Sequence, residues 1–166
     1  MKTNWKILRP EIKTVNTISA ILRCGETLAA ILANRNLTRK ENIIPFLNPS
    51  LKNLAPPFNL KDMDNAVKRI ANAVLRSEKI LIFGDYDADG ITATAILYDF
   101  LKKAGADINF YIPHRIKEGY SIKKENVAYA GKKGVNLIIT VDCGSNGFEA
   151  ASEAKKLGID IILLYF

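Results

Sequence analysis

Apolar positions along the chain follow two rhythms. Through about Asn36 they recur at helical spacing, Ile18, Ile21 and Leu22 and then Leu28, Ile31 and Leu32, which predicts one or two packed helices. Thr38-Arg-Lys-Glu41 has the capping-box pattern and predicts a short helix toward Phe46 and Leu47, ended by Asn48-Pro49. Leu54-Ala-Pro-Pro57 predicts a stiff connector, because consecutive prolines hold the backbone extended and supply no amide donors. From Asp62, the positions Met63, Ala66, Ile70, Ala73 and Val74 mark an amphipathic helix.

Beyond that helix the rhythm changes. Short apolar runs at 79–83, 108–112, 136–141 and 159–164 alternate with helical stretches at 91–104, 122–133 and 147–157. Unbroken apolar runs suit strands covered on both faces, and this alternation predicts βαβ units with right-handed crossovers. The expected architecture is α/β: a parallel sheet with flanking helices over residues 61–166, preceded by a small helical region over 1–60. The preface reads first as structural support, with nucleic-acid contact through Arg35, Arg39 and Lys40 as the alternative.

Composition narrows the class. A chain of 166 residues buries one full core. No apolar run approaches the roughly 20 residues that span a bilayer, and MKTNWKILRPEIK lacks the apolar centre of a signal peptide, so a cytoplasmic protein with no membrane partner is expected. Cys24 and Cys143 stand apart with no CxxC pairing, which suits reduced thiols. Lys and Arg outnumber Asp and Glu by 24 to 17, a net charge of +7. That balance fits an anionic partner such as nucleic acid and fits an inert lysine-rich surface equally well.

Candidate chemistry gathers where strands end. After the run at 79–83 come Asp85, Asp87 and Asp89, three carboxylates in five residues, whose mutual repulsion calls for a cation among them. Hard oxygen donors suit Mg²⁺ or Mn²⁺, and ligands collect beyond the carboxyl ends of strands in open α/β sheets. The alternative is a solvated turn in which Asp89-Gly90 caps the next helix. Asp142 stands at the end of its own strand, as Asp85 does; it either converges on the same ions or caps the turn that follows. The loop Pro113-His-Arg-Ile-Lys-Glu-Gly-Tyr120 opens on the same edge. There His114 and Arg115 are candidate phosphate ligands, Arg115 through its planar fork, while Glu118-Gly-Tyr120 shapes the turn.

FGDYDADGITATAIL, YIPHRIKEGYS and TVDCGSNG, in that order, resemble the start of the RecJ-type single-stranded-DNA-specific exonucleases of the DHH phosphoesterase superfamily. The WKI, FLNPSL and NLKDMDNAVKRI segments resemble the stretch before that family's catalytic core. The resemblance implies that Asp87, Asp89 and Asp142 are metal-binding carboxylates, with Asp85 a neighbouring acid of the same motif. It also implies Mn²⁺- or Mg²⁺-dependent hydrolysis of phosphodiester bonds from a 5′ end of single-stranded DNA, in repair and recombination. Tyr165 and Phe166 stand where the Asp and first His of the Asp-His-His motif belong. The expectation is therefore an incomplete phosphoesterase domain, truncated at that motif and inactive or nearly so alone, unless a second chain supplies the missing region. A DHH phosphoesterase acting on a small phosphoester or oligonucleotide, and a non-catalytic nucleic-acid-binding fragment, are the other readings.

Overall fold

The structure is a computed structural model and describes residue 4 and residues 6–164; Trp5 of the WKI segment, Tyr165 and Phe166 lie outside the described residues. The chain forms two compact units, Met1–Asn59 and Leu60–Phe166.

The first unit holds α1 (Ile12–Leu22), α2 (Glu26–Asn34) and α3 (Lys40–Leu47), followed by 3₁₀ turns at Leu51–Asn53 and Pro57–Asn59. Its core is Val15, Ile18, Ala29, Leu32, Ala33 and Ile43. Ile21, Leu28 and Ile31, which spacing groups with the core, are exposed. The buried stripe of α1 runs instead through Val15, Ile18 and the partly buried Leu22, and Ala29 and Ala33 keep the facing side of α2 shallow enough for close approach. The capping box does not form. Arg39 is the N-cap of α3 with no side-chain bond, so Glu41 falls at the second helical position, too early to reach back to the cap. No single helix among the described residues is long and apolar enough to cross a membrane; α1 and α2 pass that test only as a pair bent by 116°.

The second unit is built on a parallel sheet. Its elements are α4 (Met63–Leu75), β1 (Lys79–Gly84), α5 (Ala88–Lys103), β2 (Asp107–Tyr111), α6 (Lys124–Lys132), β3 (Leu137–Val141), α7 (Phe148–Leu157) and β4 (Asp160–Leu164). The strand order is β2-β1-β3-β4, with every pair parallel. Successive side chains of a strand point to opposite faces, which sorts the apolar runs into two cores. Ile80, Ile82, Leu137, Ile139 and Val141 pack with Ala73 of α4 and Leu101 of α5. Phe83 and Ile138 pack with Val127 and Ala130 of α6 and Ala150 and Ala154 of α7. Two covered faces explain why β3 is buried at every position.

The direction of travel along the sheet decides where a site can form. From β1 the chain crosses to β2 on one side; from β2 it returns past β1 to β3 and continues to β4 on the other. Right-handed crossovers in opposite directions place α5 on one face and α6 and α7 on the other, so the connections after β1 and β3 part and leave a crevice between those strand ends. At the amino end of the sheet, Arg69 of α4 holds Glu78, just before β1, at 2.7 Å and Asp160, the first residue of β4, at 2.6 Å.

Candidate metal centre

The register fixes the centre. Gly84 pairs with Val141, so the residues that follow, Asp85 and Asp142, leave adjacent strands side by side at the crevice. Asp85, Asp87 and Asp142 each offer a carboxylate oxygen within 4.8 Å of the others, and no other cluster of three such acidic, histidine or cysteine donors occurs among the described residues.

Local structure explains how each carboxylate is held. Asp87 is the N-cap of α5: its Oδ1 accepts the N–H of Asp89 at 3.1 Å and of Gly90 at 3.0 Å. The cap starts α5 at Ala88, three residues before the apolar pattern does, and uses Oδ1 for both amides. It also sets the acidic loop against the positive end of the helix dipole. Asp85 is buried, and its Oδ1 accepts the Tyr86 N–H at 2.8 Å. Asp142 has φ 58°, a left-handed conformation that Asp tolerates better than most residues, and its N–H donates to the Leu164 carbonyl at 3.0 Å. Its carboxyl is held above the usual carboxylate range, first by partial burial and then by the charges of Asp87, Asp89 and Asp85. Asp89 thus contributes to the field of the centre without joining the three converging oxygens, and its own amide is bound to Asp87.

Two close approaches depend on glycine. A β-carbon at Gly90 would lie 2.6 Å from the Asp85 backbone nitrogen and oxygen, and one at Gly84 would lie 2.1 Å from Thr94 Oγ1. Both glycines let α5 press its first turns onto the end of β1.

The donor set is chemically suited to a hard divalent cation. Three carboxylates concentrate negative charge, the oxygens converge, and the one thiol nearby is unavailable. Cys143 is fully buried, its Sγ donates to the Phe83 carbonyl at 3.6 Å, and burial followed by the charges of Asp85 and Asp142 pushes its pKa up to about 12.

The loop after β2 reaches both acidic loops. The Arg115 guanidinium lies 5.4 Å from the centroid of the ring of Tyr86, the residue between Asp85 and Asp87 in sequence, so this loop meets the acidic loop after β1. His114 is exposed and bonds back to its own loop through one ring nitrogen. Its Nδ1 accepts the N–H groups of Ile116 at 3.2 Å and Lys117 at 3.4 Å, and it is not brought together with the carboxylates. Glu118 accepts the Tyr111 hydroxyl and, at 3.0 Å, the His114 N–H. The Tyr111 bond, then the His114 N–H, hold the Glu118 carboxyl below its usual range, while the same Tyr111 bond raises the Tyr111 phenol. Tyr120 donates its hydroxyl to the Asp142 carbonyl at 3.3 Å. Tyr86 and Tyr111 carry no sequence signal for these roles; they arise only because β1 and β2 are neighbours.

The site's surroundings match known proteins. The chain is 38% identical over 162 residues to the single-stranded-DNA-specific exonuclease RecJ of Bacillus subtilis, covering 98% of this chain and 21% of that protein. Its structure is similar to that of exonuclease RecJ bound to manganese, with a TM-score of 0.61 and 38% identity, covering 66% of this chain and 28% of that one. It is also similar to RecJ in complex with Mn²⁺ from Thermus thermophilus, with a TM-score of 0.60 and 32% identity, covering 96% of this chain and 22% of that one. The chain thus spans about a fifth of the length of the curated relatives it matches. The model for the DHH family, N-terminal domain, matches residues 79–164, from the first residue of β1 to the last of β4. That span takes in every strand of the sheet and both acidic loops, and by it the chain belongs to the DHH family.

Proposed function

We propose that this chain is the metal-holding part of a RecJ-like nuclease that hydrolyses phosphodiester bonds of single-stranded DNA from a 5′ end, in repair and recombination. The observation that carries the reading is the convergence of Asp85, Asp87 and Asp142 at the crevice between β1 and β3. In this reading those three carboxylates hold Mn²⁺ or Mg²⁺, and Asp89 adds negative charge beside them. Divalent ions in such a site supply Lewis acidity and charge neutralisation at a phosphodiester. The manganese in the two similar RecJ structures supports the assignment, as does the all-oxygen donor set.

The chain's own residues divide the remaining work. Asp87, fixed by its two amide bonds, offers a carboxylate oxygen to the centre, while buried Asp85 is kept from swinging away by the Tyr86 amide. Arg115, stacked on Tyr86, offers its fork to a phosphate approaching the centre. His114 organises the loop that presents Arg115 and has no proton-transfer role in this scheme.

The reading is tested by the release of mononucleotides from 5′-phosphorylated single-stranded DNA in Mn²⁺. The 166-residue chain is assayed alone and with a separately expressed polypeptide corresponding to the rest of the Bacillus subtilis relative. Release in the mixture, lost with Asp142→Ala and in EDTA, is the expected result. Turnover indifferent to Asp87→Ala and Asp142→Ala, or no turnover by folded, associated polypeptides, would overturn it.

A further inference from the structure

The loop joining β2 to α6 touches the centre at two points that are distant in sequence: Arg115 lies over Tyr86 on the β1 side, and Tyr120 bonds the Asp142 carbonyl on the β3 side. Between those points stands Glu118, whose carboxylate and carbonyl tie the loop to β2, to its own start and to α6. Its carboxylate accepts the Tyr111 hydroxyl from the end of β2 and the His114 N–H from the start of the loop, and its own carbonyl accepts Lys123 Nζ from the N-cap of α6. The His114 carbonyl in turn accepts the Glu118 N–H at 2.8 Å, closing the turn on itself.

We infer that Glu118 is a positioning residue for the metal centre, acting by fixing the loop so that Tyr120 holds the Asp142 backbone in its left-handed turn and Arg115 stays on Tyr86. The inference rests on the metal-dependent reading above. A left-handed aspartate is a conformation its neighbours must maintain, and the hydroxyl of Tyr120 bonds the carbonyl of that same residue. Tyr120 can do so only if the turn two residues earlier is held in place. Tyr111 anchors that turn to the sheet, since its ring stacks on Phe83 with centroids 5.6 Å apart while its hydroxyl holds Glu118. The route from sheet to metal ligand is therefore Tyr111, Glu118, Tyr120, Asp142. Groups that orient ligands without touching the ion tune its affinity, and their loss costs roughly tenfold or more in metal binding.

The test is Mn²⁺ binding to the whole 166-residue chain, read by loss of the free-ion electron paramagnetic resonance signal, with Asp142→Ala defining the site. Glu118→Ala weakens binding roughly tenfold. Glu118→Gln, which keeps an acceptor for the His114 N–H, recovers part of it. Tyr120→Phe weakens binding in the same direction, and the Glu118→Ala/Tyr120→Phe double variant is no weaker than Glu118→Ala alone, because both act on one route. Val127→Ala, a buried truncation in α6, serves as a control that lowers the melting temperature and leaves Mn²⁺ affinity near wild type. Wild-type affinity in Glu118→Ala, additive losses in the double variant, or an equal loss in Val127→Ala would overturn the inference while leaving the metal reading intact. A wild-type chain that binds Mn²⁺ no better than Asp142→Ala would remove the metal reading, and the inference with it.

Discussion

Gly90 and Asp85 share a space that has no room for one more carbon: a β-carbon at Gly90 would sit 2.6 Å from the Asp85 amide nitrogen and carbonyl oxygen. Because the obstacle is backbone rather than the end of a flexible side chain, it cannot swing aside. Gly90→Ala must push α5 away from the end of β1, carrying the Asp87 cap with it. A loss of roughly 1–3 kcal/mol is expected, as for other overpacked sites, read from urea unfolding, together with weaker Mn²⁺ binding.

Cations should stabilise the fold, and in their absence so should removing one acid. At a free Mn²⁺ concentration roughly 100-fold above its dissociation constant, linkage adds about 2.7 kcal/mol, reversed by EDTA. In EDTA, the raised Asp142 pKa means that the folded protein takes up a proton more readily than the unfolded chain. That contribution is present at acid pH and is lost as pH rises from the ordinary carboxylate range through the raised folded value. Asp142→Asn should therefore give a metal-free protein more stable than wild type at neutral pH, with a shallower pH dependence and no response to Mn²⁺. Urea midpoints from mildly acidic to neutral pH, with and without Mn²⁺, check both signs.

Arg115→Ala should separate metal binding from phosphate binding. The side chain is exposed and makes its contact through the Tyr86 ring, so stability should change by no more than about 0.5 kcal/mol. Mn²⁺ affinity should stay within a few-fold of wild type, while binding of a 5′-phosphorylated oligonucleotide weakens. Arg115→Lys should restore little of it, since an ammonium lacks the planar fork and stacks poorly. Fluorescence anisotropy of a labelled oligonucleotide in Mn²⁺ reads the difference.

The two thiols should differ in reactivity. Cys143 is fully buried with its pKa pushed up to about 12, so it presents neither thiolate nor access, whereas Cys24 is only partly buried. Ellman's reagent at mildly alkaline pH should titrate at most Cys24 in the native chain and both thiols in denaturant. Rapid native labelling of Cys143, located by mass spectrometry, would show that the crevice between β1 and β3 opens readily.

What can be read from the sequence, and what cannot, divides by distance along the chain. Apolar runs bounded by turn formers mark β1 and β3, and an acid at the end of each is a strand-end acid whatever the topology, so Asp85 and Asp142 are legible. That these two face each other requires the register of Gly84 against Val141, which no local pattern encodes. Hydrophobic spacing places the start of α5 at Ile91, whereas the helix is started earlier by the carboxylate of Asp87, which caps it as well as facing the crevice. The Thr38 capping box fails for a related reason: its letters fit, but α3 begins one residue too late to use them. His114 has the chemistry of a phosphate ligand, and what the sequence does not show is that its Nδ1 accepts two amides of the turn at Pro113–Glu118. The Tyr120 bond to Asp142 spans 22 residues and follows only from the fold.

Arg69 gives the sheet a sense of direction. At the amino end its guanidinium is matched by Glu78 and Asp160; at the carboxyl end Asp85, Asp87 and Asp142 face one another. One end has a cation set between its acids and the other gathers three acids face to face, so the protein keeps its internal conflict where a visitor can resolve it. Substitutions at Arg69 should then be felt as a looser framework with unchanged chemistry, and those in the acidic loops as altered chemistry on a sound framework. The two properties are free to drift apart over generations of sequence change.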